Sequence, residues 1–317
     1  ENSLSVEQKA KIEEIKSPGF SKIVYPSFEV GKKIATRVSN GEILNAIAKI
    51  HCGFLGGSAD LGPSNNTISP GEGDCPKGRN LHFGVREHAM GAICNGIANY
   101  GLFLPYCATF FVFSDYMAPS VRVASIMSSQ VFYIWTHDSI GVGEDGATHQ
   151  PIEQLSHFRS MPNLYVFRPA DANENIACAQ VALELKAPSA FVLSRQNLEV
   201  LPPVERAKVQ RGGYAIKECE NPDIILLATG SEVSIALKAA KKLEEQGKKV
   251  RVVSMPCLEL FEKQEKAYQE DVLSNREITI AIEASRGFEW YKYAKEVIAM
   301  RGFGESGKGD ELFEHFG

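Results

Sequence analysis

The feature that most constrains the fold is the repeated alternation of short apolar runs with stretches of helical periodicity. Residues 131–135 and 223–231 are mainly apolar, as is typical of parallel strands buried on both faces. The second run turns into an amphipathic stretch, 232–246, which Gly247 is expected to cap. Strands that alternate with helices favour a mostly parallel sheet. The predicted fold class is therefore α/β, with two domains, each a mostly parallel sheet flanked by helices.

The alternation is interrupted twice, and the interruptions predict the domain boundaries. A polar segment with a short surface helix, 1–28, is expected to be a connector from an upstream domain that is missing here. The first α/β domain is expected over 29–200 and a linker over 201–221. The second α/β domain is expected over 222–317. A length of 317 residues suits about two domains.

Charge and cysteine usage exclude several classes of protein. The 34 Lys and Arg residues against 39 Asp and Glu residues give a net charge of −5, and no basic stripe predicts a nucleic-acid site. The seven cysteines are scattered without zinc-like spacing, so no metal ligand is predicted in this chain. No signal peptide or membrane-length apolar run is present, and a cytoplasmic protein is expected.

The loop 136–151 is the strongest candidate for chemistry. It follows the apolar run 131–135 and contains two histidines, several carboxylates and three glycines, before Pro151, which is expected to open a helix. Loops at the carboxyl ends of parallel strands are where open α/β sheets place their ligands. Imidazoles beside carboxylates can bind hydroxyl groups and exchange protons near neutral pH. A plain glycine-rich turn is the alternative interpretation.

Four further clusters lie at predicted strand ends or helix starts. They are 56–65 with Asp60 and Ser64, 84–91 with Glu87, the rings of Phe110, Phe113 and Tyr116, and 194–196 with Arg195. The rings could line a flat heteroaromatic ligand, and an arginine suits bidentate phosphate binding. Taken singly, each cluster is also typical of a turn, a helix cap, an aromatic core or a surface ion pair.

Together these motifs resemble the transketolase family. The resemblance rests on the amino-acid sequences of the segments 56–61, 86–93, 137–151, 167–171 and 193–197 and on their order along the chain. It extends through 227–233 and 303–307. It therefore covers nearly the whole chain. Ala147 stands where the family commonly has proline.

The resemblance implies an activity and a cofactor. Transketolases use thiamine diphosphate and a divalent metal, Mg²⁺ or Ca²⁺, to transfer a two-carbon ketol unit between sugar phosphates. The expected reaction, in the pentose phosphate pathway, runs from xylulose 5-phosphate to ribose 5-phosphate or erythrose 4-phosphate. By resemblance Glu87 is the carboxyl group at the pyrimidine ring nitrogen. Phe110, Phe113 and Tyr116 match residues around the pyrimidine, and Asp60 matches an acidic residue close to the cofactor.

The resemblance also assigns the substrate residues and a partner. His137 matches a histidine at the reacting hydroxyls, which makes it a catalytic candidate beside Glu87, and Asp145 matches a residue that recognises a substrate hydroxyl. The family positions that grip the sugar phosphate are matched by Arg37, Ser64, His149 and Arg195. A homodimer with the cofactor at the subunit interface is implied.

The family's Gly-Asp-Gly motif for the diphosphate and metal is not found in this sequence. We therefore expect the N-terminal diphosphate-binding domain to be absent and this chain to be inactive alone. The chain is also expected to stop short of the family's last helix, and its second domain is given no catalytic residue.

Other thiamine enzymes remain alternatives: the beta subunit of a 2-oxo acid dehydrogenase, 1-deoxyxylulose-5-phosphate synthase and dihydroxyacetone synthase. A non-catalytic dimerisation module is a further alternative.

Overall fold

A computed structural model describes residues 4–317. Strands are β1 (Lys33–Ile34), β2 (Phe54–Ser58), β3 (Asn80–His82), β4 (Leu104–Phe110), β5 (Phe132–Thr136), β6 (Tyr165–Phe167), β7 (Ser189–Leu193), β8 (Leu198–Glu199), β9 (Tyr214–Lys217), β10 (Ile224–Ala228), β11 (Val250–Ser254), β12 (Thr279–Glu283) and β13 (Glu296–Ala299). Helices are α1 (Val6–Lys16), α2 (Thr36–Ile50), α3 (Gly62–Asn65), α4 (Glu87–Asn99), α5 (Ala118–Met127), α6 (Gln154–Arg159), α7 (Ala172–Glu184), α8 (Arg206–Val209), α9 (Glu232–Glu245), α10 (Leu258–Phe261), α11 (Lys266–Leu273) and α12 (Gly309–Phe316).

The first unit is built on a six-stranded, fully parallel sheet in the order β3-β2-β4-β5-β7-β6. Alternate residues of β5 enter different cores, because successive side chains of a strand point to opposite faces. Phe132 and Ile134 pack with α2 and α7, whereas Tyr133 and Trp135 pack with α4 and α5. The central strand is therefore buried on both faces, as its continuous apolar run predicts.

The second unit contains a five-stranded sheet in the order β13-β12-β10-β11-β9. Four of these strands are parallel, and β9 pairs antiparallel with β11, so the sheet is mixed. Helix α9 follows β10 and ends as expected, with Gly247 in a left-handed conformation at φ 81°. The predicted α/β fold class is confirmed in both units.

Several element bounds differ from the prediction. The helix expected at Pro151 begins at Gln154. After β4 the chain forms a 3₁₀ helix over 111–117 that leads into α5, whose first turn accommodates Pro119. Strand β9 lies inside 201–221, the stretch expected to be a linker. No helix among residues 4–317 has both the length and the apolar character needed to cross a lipid bilayer.

Candidate active site

The carboxyl edge of the six-stranded sheet collects most of the predicted site residues. Because its strands are parallel, their carboxyl ends lie along one edge, where α/β proteins bind ligands. Asp60 follows β2, Glu87 follows β3, Phe110 ends β4, His137 follows β5 and Arg195 follows β7. Helix α2 is fixed at the same edge, since the Thr36 backbone N–H donates to Ser194 Oγ at 3.0 Å.

His137 lies at the centre of this edge. It is 3% exposed and has a left-handed backbone at φ 64°, which is uncommon for a residue with a side chain. Its ring stacks on Phe110 with centroids 3.6 Å apart. Burial, followed by the charges of Arg37, Arg195 and His149, lowers the pKa of His137 to about 3. The imidazole is therefore neutral at pH 7.

Arg37 and Arg195 bring positive charge to His137, and neither forms an ion pair with a carboxylate in the described part of the chain. Arg37, at the start of α2, donates from Nη1 to the Ser64 carbonyl at 2.5 Å, while its buried Nε has no hydrogen-bond partner among residues 4–317. Burial and the nearby charge of Arg195 lower the pKa of Arg37. Guanidinium groups that repel each other are stabilised by a bound anion, and their planar donors suit a phosphate.

An aromatic platform adjoins the histidine. The rings of Phe110 and Phe113 are nearly parallel, with centroids 5.9 Å apart and an interplanar angle of 11°. Tyr116 continues the row, 6.1 Å from Phe113, but is 67% exposed. The edge of His149 meets Phe113 with centroids 5.3 Å apart. The structure therefore brings the aromatic and phosphate-type residues of the prediction into one cluster.

Glu87 is the first residue of α4 and is buried. Neighbouring Arg86 does not neutralise it, because the Arg86 guanidinium donates to the Phe83 carbonyl at 3.1 Å. Within residues 4–317 no side-chain hydrogen bond or ion pair engages the Glu87 carboxylate. The positive end of the helix dipole favours a carboxylate at this position.

Two predicted residues lie outside these contacts. Asp60 and Asp145 are exposed, and neither side chain forms a hydrogen bond or ion pair with another residue in the described range 4–317. Asp60 has a left-handed backbone at φ 62°. The structure places both on the carboxyl edge but does not join either to the aromatic cluster.

Sequence reasoning missed Gln150, which ties the loop 136–151 to the second unit. Its Nε2 donates to the carbonyl of Gly143 at 2.9 Å and to that of Glu305 at 2.8 Å, and the residue is 2% exposed. Nearby, Ser306 Oγ donates to the Glu144 carbonyl at 2.5 Å. The motif at 303–307, in the second unit, thereby holds the loop 136–151 in place. The two segments are about 160 residues apart in the sequence, so no local sequence pattern indicates this contact.

A buried ionic network also joins the two units. Glu283 at the end of β12 accepts from Arg159 at 2.7 and 2.9 Å and from Trp290 Nε1 at 2.7 Å. Arg168, after β6, pairs with Glu232 at the start of α9. Coulombic attraction to these carboxylates outweighs burial and raises the pKa of both arginines, so their charges are permanent. Each ion is compensated, as buried charges require.

Within residues 4–317 no group of three or more His, Cys, Asp or Glu side chains is arranged to hold a metal ion. The candidate site combines the rings of Phe110, Phe113 and Tyr116 with the carboxylate of Glu87, the imidazoles of His137 and His149 and the guanidinium groups of Arg37 and Arg195.

Comparison with known proteins gives two family matches. Residues 32–200 match the model described as "Transketolase, pyrimidine binding domain", and residues 212–317 match "Transketolase-like TK C-terminal domain". The chloroplastic transketolase of Solanum tuberosum is 49% identical over 296 residues, which are 89% of this chain and 40% of that protein.

Solved structures agree with these matches. A transketolase from Campylobacter jejuni superposes with a TM-score of 0.93 and 54% identity, covering 98% of this chain and 48% of its own. A Pichia stipitis transketolase in complex with sedoheptulose 7-phosphate gives a TM-score of 0.93 at 40% identity, with the same coverage. The chain spans about half the length of the relatives it matches.

Proposed function

The chain belongs to the transketolase family, and on that premise we propose that it carries the substrate-phosphate and pyrimidine half of a ketol-transfer site. The reaction is reversible transfer of a two-carbon unit from xylulose 5-phosphate to ribose 5-phosphate or erythrose 4-phosphate. The observation that carries this proposal is the neutral His137 set among Arg37, Arg195 and His149. Such a site offers cations to a phosphate and an imidazole to a sugar hydroxyl.

The residues present fit the pyrimidine half of thiamine diphosphate, the cofactor that the family implies. The near-parallel rings of Phe110 and Phe113 offer apolar faces to a flat heterocycle, and Tyr116 extends the row. Glu87 supplies a buried carboxyl group that has no side-chain partner in the described range, and this group would share a proton with a ring nitrogen. When bound, the cofactor supplies the nucleophilic carbon that ketol transfer needs. Asp60 is proposed to lie near it, on the same sheet edge.

Among the described residues no ligand set suits Mg²⁺ or Ca²⁺. The metal and diphosphate contacts are therefore proposed to come from residues that this chain does not supply.

His137 is proposed to bind the reacting hydroxyls of the sugar. Because its pKa is lowered to about 3, it does not add a positive charge that would compete for the phosphate. Arg37, Ser64, His149 and Arg195 are proposed to hold the phosphate, and Asp145 a hydroxyl near the far end of the loop. Binding at both ends would orient the sugar chain and exclude water from its reacting carbon.

A homodimer, with the cofactor at the subunit interface, is proposed as the assembly. Helix α4 buries Gly91 against Ser120 but leaves Ala89, Ala92, Ile93 and Gly96 at the surface. Exposed apolar side chains of α5, Val123, Ile126 and Met127, add to this face. Small residues allow a second helix to approach closely, and a large apolar patch is typical of an interface. Ile93→Glu with Ile126→Glu should give a monomer in sedimentation. Val30→Glu should not, because Val30 is an exposed apolar residue that belongs to neither α4 nor α5.

The proposed activity is tested by ketol transfer from xylulose 5-phosphate to ribose 5-phosphate, with thiamine diphosphate and Mg²⁺ present. The chain is assayed alone and mixed with the part of the Campylobacter jejuni transketolase that it does not match. We expect activity only in the mixture, and loss of that activity with Glu87→Gln. If the two polypeptides assembled into a dimer that binds thiamine diphosphate but transfers no ketol unit, the proposal would be contradicted.

A further inference from the structure

Three buried residues form a hydrogen-bonded chain that ends at His137. Thr136 Oγ1 donates to Asn65 Oδ1 at 2.7 Å, and the same oxygen lies 2.8 Å from His137 Nδ1. Asn65 and Thr136 are fully buried. Asn65 is the last residue of α3, directly after Ser64, and Thr136 is the last residue of β5. The chain therefore links two elements of the site to one ring.

The proton of Thr136 decides which nitrogen of His137 is protonated. A hydroxyl group has one proton to donate and two lone pairs to accept with. Since the Thr136 hydroxyl donates its proton to Asn65 Oδ1, the hydroxyl oxygen must accept a hydrogen bond from the imidazole. His137 Nδ1 must therefore be the donor. A neutral imidazole with a proton on Nδ1 has none on Nε2. The charges of Arg37 and Arg195 oppose a second proton on the ring.

The backbone holds the ring in this relationship. His137 adopts φ 64°, so its side chain turns back beside Thr136, and stacking on Phe110 fixes the ring plane. With Nδ1 bonded to Thr136 and the ring stacked on Phe110, Nε2 is the polar atom of the ring that has no protein partner among residues 4–317.

We propose that Asn65 and Thr136 are positioning residues that hold His137 as its Nδ1–H tautomer, so that the unprotonated Nε2 accepts a hydrogen bond from a substrate hydroxyl. The identity of that hydroxyl as part of a sugar phosphate rests on the proposed function, whereas the tautomer does not. An unprotonated nitrogen at this position is able to take the hydroxyl proton as the adjacent carbon–carbon bond of a ketose breaks: the hydroxyl carbon becomes the carbonyl of the departing aldose, and the electron pair of the bond stays with the two-carbon unit. In the second half of the transfer the same nitrogen would return the proton to the carbonyl oxygen of the acceptor sugar as the new carbon–carbon bond forms.

The direct test is ¹⁵N NMR of the 317-residue chain labelled at histidine, with the His137 signals identified by their loss in His137→Gln. We expect Nδ1 to show the shift of a protonated ring nitrogen and Nε2 that of an unprotonated one at pH 7. In Thr136→Val, which keeps the side-chain shape, the two shifts should move toward the Nε2–H form that free histidine prefers. Thr148→Val is the matched control, because Thr148 Oγ1 lies 2.9 Å from His149 Nδ1 and should affect His149 alone.

A second variant tests the direction of the Asn65 contact. Asn65→Asp can only accept from Thr136, so it should preserve the wild-type pattern of His137. If Asn65 instead donated to Thr136 through Nδ2, the wild-type His137 would carry its proton on Nε2 and Asn65→Asp would invert that pattern. Either a wild-type Nε2–H signal or an unchanged spectrum in Thr136→Val overturns the proposal.

Kinetics separate this proposal from the proposed function. In the reconstituted mixture, Thr136→Val should lower kcat about tenfold while KM for ribose 5-phosphate changes less than about twofold, because one neutral hydrogen bond is lost and the phosphate grip is intact. If Thr136→Val altered the His137 tautomer but kept the wild-type kcat, the proposed role of that tautomer in catalysis would be overturned. Absence of ketol transfer in the wild type would overturn the proposed function and leave the NMR result standing.

Discussion

Asp138, the residue after His137, accepts two hydrogen bonds from Arg168: Oδ2 lies 2.8 Å from Nη2 and 3.2 Å from Nε. Both side chains are fully buried. Consecutive residues thus serve different purposes, since His137 contacts the aromatic cluster whereas Asp138 binds the ionic network between the two units. Removing the arginine should therefore disturb both stability and the site.

Arg168→Met would leave the carboxylates of Asp138 and Glu232 buried without their cation. Breaking a buried ion pair in this way costs about 3–5 kcal/mol, whereas an exposed pair contributes less than about 1 kcal/mol. Arg206→Met is the matched control, because Arg206 and its partner Glu184 are 43% and 55% exposed. Urea unfolding should show the difference, and equal losses in the two variants would contradict the ionic role of Arg168.

Glu174 should make the protein less stable as pH rises. It accepts hydrogen bonds from Tyr214 and Ser254, both at 2.7 Å, yet burial raises its pKa from 4.5 to about 7. The folded protein then keeps a proton that the unfolded chain loses, so unfolding releases a proton in this range. The contribution to stability is complete below pH 4.5 and is lost as pH rises to about 7, with a total of about 3 kcal/mol.

Glu174→Gln measures this contribution by difference. Burial lowers the pKa of His51 to about 4 and that of His137 to about 3, and these groups make stability rise with pH in an overlapping range. Both occur in wild type and variant, so their effects cancel in the difference. The variant should gain stability relative to wild type between pH 4.5 and 8, and a constant difference would show that Glu174 is ionised in the folded state.

Gly304→Ala should loosen the loop 136–151. A Cβ on Gly304 would stand 1.7 Å from Gln150 Oε1, and relieving that overlap would disturb the hydrogen bonds of Gln150 to Gly143 and Glu305. We expect a loss of about 1–3 kcal/mol, typical of an overpacked site. Deuterium exchange of the amides that close the turn at Gly146 should accelerate, and affinity for ribose 5-phosphate should fall.

Gly302→Ala is the matched control in the same segment, because a Cβ at Gly302 would meet no atom of the described residues within 4 Å. It should leave exchange in the loop and binding unchanged. If the two alanine variants behaved alike, the second unit would not determine the position of the loop.

Glu87→Gln should abolish most ketol transfer without unfolding the protein. The amide has nearly the shape of the carboxylate but cannot hold a proton at a ring nitrogen, so kcat of the reconstituted mixture should fall by about two or more orders of magnitude. Circular dichroism should be unchanged, since Glu87 forms no ion pair within residues 4–317. Near-normal turnover would favour a non-catalytic role for this chain.

Arg195→Ala should weaken binding of phosphorylated sugars more than it slows turnover. Arg195 is exposed, and its guanidinium group lies close enough to Arg37 for the two positive charges to repel each other. A negatively charged ligand can therefore bind both groups. Loss of an interaction made equally in the ground and transition states raises KM and leaves kcat nearly constant. Unchanged KM for ribose 5-phosphate, measured beside a substrate without a phosphate, would show that Arg195 is not part of the phosphate grip.

The strands were predictable where burial on both faces produces a continuous apolar run, as in β5 and β10. Strand β13 was not predicted, because it lies at a sheet edge, where Glu296 and Ile298 are exposed. Its four residues are also too few to show the alternation of apolar and polar residues that is typical of a strand. Strand β9 was not predicted, because it is an antiparallel edge strand of its sheet and follows a segment rich in proline and charged residues.

The candidate site was predictable to the extent that its residues occur in long motifs, such as the loop with His137 and His149. Its supporting contacts were not, because they join residues far apart in the sequence: Arg168 to Glu232, Gln150 to Glu305, and Thr136 to Asn65. Asn65 and Thr136 carry no unusual chemistry by themselves. Their importance follows from the distance between two atoms, which only the folded chain defines.

The anchoring of one loop at Asp138 and at Gln150 limits how freely the halves of such proteins could be exchanged. A chimera that took its second half from a relative would need a carboxylate at the position of Glu232 and a residue without a side chain at the position of Gly304. A graft chosen for thermal tolerance or expression, but lacking either feature, would shift the loop 136–151 from a distance. Engineering of the proposed sugar site should therefore include 303–307 among the residues to be varied together with that loop.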